Sequence, residues 1–363
     1  MRDETTNETR EETLRRTGSS TENIMRTTQR SRWIAPLAVA LGLACAAPAM
    51  AQTDVVIGYE NGGADPYMVT QGLGLFQKNI PGHVTLKYFD SGPAAMSALA
   101  SNSLQFMCGI GIPPFVTGVS QGLPLAIIFN QERYTRDAGI VVRPGKGINT
   151  VADLKGKTIA IVVGSQASFE LATFLDAAHV PMDSVRQLNM SPPEMHVAWT
   201  TGSIDAAIVW DPVFDALQGL GAKVLKTDAD LPPDASSYNV CIANTQWTKD
   251  HPDIAAAFVR ALDQGVAYTK ANPDKALAVM AKEAGVTLPV AKAELAGYEY
   301  YSAQDQLTPR VLGTGAGIAT SATTKTLVNT ARVLKNIGRI TDVPASFTPA
   351  VDSSYAARAL QAK

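Results

Sequence analysis

Residues 188–217 read LNMSPPEMHVAWTTGSIDAAIVWDPVFDAL, and this stretch decides the fold. Ser191 is a helix N-cap, with Pro192 and Pro193 in the first turn, where a missing N–H costs nothing. Met195, Ala198 and Trp199 fall at i, i+3 and i+4 and give that helix one apolar face. Gly202 stops it. The run from Ile204 to Trp210 is short and apolar, as expected of a strand covered on both faces in a parallel sheet. Asp211-Pro212 ends the strand and opens another helix. Trp210 and Asp211 thus stand at the carboxyl end of a buried strand, where open α/β sheets bind ligands.

The same order of parts occurs earlier in the chain. Ala98-Leu99-Ala100-Ser101-Asn102-Ser103-Leu104 leads through FMCGIGIPPF into a second helix, as Ala198–Ile204 leads into IDAAIVWDP. Each copy closes on Gln-Gly-Leu, at 121–123 and 218–220. Val55–Phe76 and Thr158–Ala178 form a similar strand-to-helix pair. The pattern predicts two α/β lobes, each a mostly parallel sheet flanked by helices, whose strand ends face each other over a cleft. Residues 52–142 with 243–363 are expected to form lobe one, and residues 143–242 lobe two. Two hinge crossings are expected, near 140–143 and 239–243. From His251 onward the period is helical, carried by Ile254, Phe258, Ala261 and Leu262. The tail from Thr341 is expected to lie on lobe one.

The first 24 residues are charged and nearly free of large apolar side chains, a composition that does not fold. Met25 opens a basic segment with Arg26, Arg30 and Arg32, followed by WIAPLAVALGLACAA and a small-residue site ending at Ala51. This is the pattern of a signal peptide, with Met25 as the true start and cleavage after Ala51. Lipid attachment at Cys45 is the rival reading, weakened by Gly42 in place of a large aliphatic residue three positions earlier. Export places the mature chain in a bacterial periplasm.

Residues 1–51 hold seven Arg and six acids, so 24 basic and 27 acidic residues remain, a net charge near −3. No basic stripe offers itself to nucleic acid or to a membrane surface. The remaining 312 residues suffice for two medium lobes and are expected to act as a monomer. Cys108 and Cys241 each sit in an apolar run. An oxidising compartment permits a bridge, yet both read as small buried hydrophobes, and no bridge is expected.

Enzyme chemistry finds little support. His83, His179, His196 and His251 have no partner at metal-ligand or triad spacing, and no GxSxG, HExxH or phosphate loop occurs. Neither a metal nor a cofactor is expected. Binding is better supplied. The loops Gly109–Pro114 and Gly164–Ser168 open helices at strand ends, and free N–H groups there suit an anion. Ser165 adds a hydroxyl. Asp65 and Asp211 offer carboxylates to an ammonium group, although each also suits a plain helix N-cap. Tyr59, Phe115, Phe169 and Trp210 could cover an alkyl chain or a cation, with a place in the core as the alternative for Trp210 and Phe169.

LNMSPPEMHVAWTTGSIDAAIVWDP, YFDSGPAAMSALASNSLQF, KDHPDIAAAFVRAL and YSAQDQLTPRVLGTG together resemble the periplasmic taurine-binding proteins of ABC importers, within the wider alkanesulfonate and nitrate group. The resemblance spans most of residues 54–340. It implies the two-lobed, type II periplasmic binding fold, capture of a small organic anion such as a sulfonate, and delivery to a membrane permease with its ATPase. Trp210, Asp211 and Asp65-Pro66 match the family. Gly111-Ile112 replaces a Ser-Ser pair, Gln166-Ala167-Ser168-Phe169 replaces Thr-Thr-His-Tyr after Ser165, and Asn239 stands for an Asp. These changes imply a larger or less polar ligand than taurine. A periplasmic enzyme or pyrimidine-precursor protein on the same fold, and a ligand-sensing subunit, are the alternatives.

Overall fold

The computed structural model describes residues 53–361, so the expected leader, the Met25 start and Cys45 lie outside the described residues. The chain runs through β1 (Asp54–Glu60), β2 (His83–Phe89), β3 (Phe106–Gly111), β4 (Leu125–Tyr134), β5 (Ala138–Val142) and β6 (Thr158–Ile161). It continues through β7 (Arg186–Asn189), β8 (Ala206–Trp210), β9 (Lys223–Thr227), β10 (Tyr238–Asn244) and β11 (Tyr298–Tyr300). Helices alternate with the strands. One sheet has the order β11-β4-β10-β3-β1-β2 and the other β7-β6-β8-β5-β9.

The strand directions explain how the lobes are joined. β1 pairs in parallel with β2 and β3, and β6 with β7 and β8. β10 is antiparallel to β3 and β4, and β5 is antiparallel to β8 and β9. These two misdirected strands are the first that the chain forms after changing lobe. A strand arriving from the cleft side has to run against neighbours whose carboxyl ends point into the cleft. The crossings are therefore residues 135–137 and 228–237. The expected boundaries at 142 and 242 fall late: β5 already pairs with β8, and β10 with β3 and β4. An apolar run such as AGIVV reads the same whichever sheet it joins. The crossings are tied to each other, since the Ala138 N–H donates to Asp228 Oδ2 at 3.0 Å.

Local chemistry follows the sequence closely around β8. Helix Pro192–Thr200 begins with a capping box in which Glu194 accepts from the Ser191 N–H at 2.7 Å and from its hydroxyl at 2.9 Å. Such a cap contributes about 1 kcal/mol. Met195, Ala198 and Trp199 are buried, as is all of β8. Ile208 and Val209 are wholly enclosed in the core of lobe two, worth about 1.5–3 kcal/mol each. Helix Pro252–Ala271 buries Ile254, Phe258, Ala261 and Leu262 in lobe one. The tail lies on the same lobe, where Val351 bridges to Ile127 and helix Ser354–Gln361 packs on helix Pro252–Ala271.

One expectation is overturned. Cys108 and Cys241 form a disulfide, with Cα atoms 4.0 Å apart. The bond joins β3 to β10 at a shift in their register, between Val240 and Ile242. The cysteines are 133 residues apart, and only the return of β10 beside β3 brings them together.

Candidate functional site

The strand ends of the two sheets meet around a hollow lined by both lobes and partly open to solvent. Lobe one contributes Glu60 from the end of β1, Gly111 from the end of β3, Tyr134 from β4 and Asn239 from β10. Lobe two contributes Ser165, Gln166, Ala167 and Glu170 from the start of helix Gln166–Ala177, and Trp210 from the end of β8. The lobes touch at its edge: a Cβ placed on Gly111 would stand 3.0 Å from the Gln166 Cβ, and one on Gly164 3.8 Å from Pro93.

Of the expected residues, Gly111, Ser165, Gln166, Ala167, Trp210 and Asn239 line this hollow. Five expected residues lie elsewhere. Tyr59 turns to the opposite face of β1 and stacks on Tyr67, with ring centres 5.8 Å apart. Ile112 and Phe115 are fully enclosed in the core of lobe one. Asp65 caps helix Pro66–Gly72, accepting from the Met68 N–H at 3.0 Å. Asp211 accepts from the Asp215 N–H at 2.9 Å and faces a separate hollow with Asp137 and Glu294. Phe169 is also core. Of the three residues behind the argument for a larger ligand, Ile112 and Phe169 lie in the core and Ala167 lines the hollow.

The sequence reading missed Glu60, Glu170, Tyr134 and Ser237. Glu170 carried a signal, for it sits one turn after Gln166 on the same face of a helix whose next residues, Leu171, Phe174 and Leu175, are core. A carboxylate there has to face either the core or the cleft. Glu60 likewise ends an apolar strand beside the Gly62-Gly63 loop.

The electrostatics of the hollow are acidic. None of the described residues that line it is Lys, Arg or His. Burial pushes the Glu60 carboxyl well above the usual range, and repulsion from Asp90 adds to this. Burial, then Asp228, does the same to Glu170. Asp228 itself is pushed up to about 7 by burial. Behind Asn239, whose Nδ2 donates to Glu132 Oε1 at 3.1 Å and to the Tyr134 hydroxyl at 2.8 Å, Glu132 is raised by burial and by Asp65.

Donors for an anion are few. The Ser165 hydroxyl donates to the Val162 carbonyl at 2.7 Å and accepts from the Ala167 N–H at 3.2 Å, so it is occupied. Helix Ile112–Ser120 carries Pro113 and Pro114 in its first turn, which removes two N–H groups. The Gln166 side chain is different: Nε2 and Oε1 are both buried and without a hydrogen-bond partner.

The architecture is that of the two-lobed periplasmic binding proteins. It superposes with a TM-score of 0.67, at 22% identity, on the alkanesulfonate-binding protein SsuA from Xanthomonas axonopodis pv. citri bound to MOPS, covering 82% of this chain and 98% of that one. The desulfurization enzyme DSZB shares the fold at a TM-score of 0.59 and 16% identity, covering 85% and 99%. The fold thus serves both binding and turnover. In sequence, the chain is 27% identical over 309 residues to the taurine-binding periplasmic protein of Escherichia coli strain K12, 83% of this chain and 92% of that protein. The profile of the NMT1/THI5-like family matches residues 86–276, more than half of the chain, and the chain belongs to that family.

Proposed function

We propose that this protein is the extracytoplasmic ligand-carrying subunit of an ABC importer, taking a small amino sulfonate such as taurine, or a related organic acid, into the interlobe hollow and handing it unchanged to a permease and its ATPase. The observation that carries this reading is the placement of the hollow between two strand-end surfaces, with Gly111 of one lobe against Gln166 of the other. Contacts made by both lobes at once exist only in the closed form, so ligand shifts the population toward closure. The sulfonate end would meet the first N–H of helix Gln166–Ala177, and the ammonium end the acids. The likeness to the taurine-binding periplasmic protein of Escherichia coli supports the ligand class, and the Cys108–Cys241 bond suits an oxidising compartment.

The side chains speak for carriage over turnover. His83, His179, His196 and His251 do not line the hollow, and Ser165 is committed to the backbone. Titration of the purified chain with taurine, read by tryptophan fluorescence and small-angle scattering, should give saturable binding with compaction. Mass spectrometry of the released ligand should return it unaltered. A changed product would assign the chain to the enzymes that share its fold.

A further inference from the structure

The hollow holds more acid than a receptor for a simple anion can use. Glu60 reaches it from the end of β1 and Glu170 from the opposite lobe, and both are buried, at 8% and 1% exposure. No basic side chain of the lining neutralises either. Glu170 Oε1, Asp228 Oδ1 and Gln166 Oε1 accept no hydrogen bond, and Gln166 Nε2 donates none. Unmade hydrogen bonds of buried groups, and charges without partners, are costly, so this surface is built for something that supplies donors and positive charge. Anion donors are meanwhile scarce: Ser165 is occupied, and Pro93 and Pro114 stand in first turns where N–H groups would otherwise face the hollow.

We propose that the cleft selects its ligand through a planar, multi-donor nitrogen cation of the amidinium or guanidinium type, held between Glu60 and Glu170 with the Gln166 amide as third contact. The proposal rests on the carrier reading above and names the ligand class of that same site. A guanidinium offers five N–H donors in a fixed fork, which matches acceptors arriving from two sides. Its flat faces suit the Tyr134 and Trp210 rings of the lining. Because Glu60 and Glu170 belong to different lobes, the cation itself links closure to binding. A sulfonate arm adds contacts but does not decide affinity.

Four probes separate the nitrogen group from the sulfonate: isethionate, taurine, 2-guanidinoethanesulfonate and ethylguanidinium. The first three share one sulfonate arm and end in hydroxyl, ammonium and guanidinium. Calorimetry on the purified chain should show affinity rising about tenfold or more at each step, which is the change one good charge-assisted contact brings. Ethylguanidinium, without any sulfonate, should still bind. Glu170→Gln and Glu60→Gln are isosteric and remove a strained charge. Each should lower affinity for the guanidinium probes about tenfold and leave isethionate unchanged or tighter. Isethionate binding as tightly as 2-guanidinoethanesulfonate would overturn the proposal and leave the sulfonate carrier intact. Failure of all four probes to bind overturns it as well. A guanidinium probe that binds and comes back chemically altered would instead end the carrier reading while the selection rule stood.

Discussion

Two sets of buried carboxyls lie on either side of the Trp210–Asp211 step, and they serve different ends. On the hinge side, Asp211 holds the Asp215 N–H at 2.9 Å and Glu294 holds the Ala64 N–H at 2.8 Å. The Asp137 carboxyl fills the space over Gly297, where any Cβ would overlap it. These acids organise the backbone. On the cleft side, Glu170 accepts no backbone N–H and lines the ligand hollow. Asp211 and Glu294 are committed to main-chain donors, whereas Glu170 is not. Burial alone does not tell them apart.

The largest effect expected from this contrast is in pH. Burial pushes Asp137 up to about 8, Asp211 up to about 9 and Glu294 up to about 7. The folded chain thus keeps protons that the unfolded chain releases above pH about 4. The stability they bring is complete below about pH 4 and is lost progressively as pH rises from there to the folded values of about 7 to about 9. Thermal melts should show Tm falling by several degrees between those limits, and Asp137→Asn with Asp211→Asn should flatten the slope. A flat profile in the unaltered chain would break the comparison.

Next in size is Glu294→Ala, which orphans the buried Ala64 N–H and should cost about 1–3 kcal/mol, read as a lower denaturant midpoint. Glu294→Gln keeps an acceptor and should recover most of that loss. Glu170→Gln should act in the opposite sense, raising ligand-free stability by about 1 kcal/mol or less, because it removes an acid that Asp228 repels and no N–H needs. A destabilisation as large as that of Glu294→Ala would place Glu170 with the scaffold. The smallest change in ligand-free Tm belongs to Gly111→Ala. Gly111 has an ordinary φ of −71°, and the new methyl meets only Gln166 across the lobe contact. It should leave the ligand-free melt nearly unmoved and reduce the compaction that ligand produces, as seen by small-angle scattering.

The architecture was legible because β8 and its capped helix carry it in local signals: Ser191 with Glu194, the Pro pair, and an unbroken apolar strand. The site was legible only to within one residue. Gly111 and Trp210 are expected along with their neighbours Ile112 and Asp211, and Tyr59 is expected in place of Glu60. Along β1 and at the end of β8 neighbours point to opposite sides, so a shift of one position exchanges the cleft for the core or the hinge. The disulfide was hidden for another reason. Its partners are distant in sequence, and their adjacency depends on β10 running back between β3 and β4.

That bond has a topological consequence. The ring closed by Cys108 and Cys241 contains β4 and then every strand of lobe two, from β5 to β9. The second lobe is a pendant loop threaded out of the first and fastened at its neck. Chain entropy makes closing a ring of this span worth about 5 kcal/mol, all of it taken from the unfolded ensemble. A protease cut anywhere in the pendant would leave one covalent molecule, with both stumps still anchored side by side beneath the cleft floor.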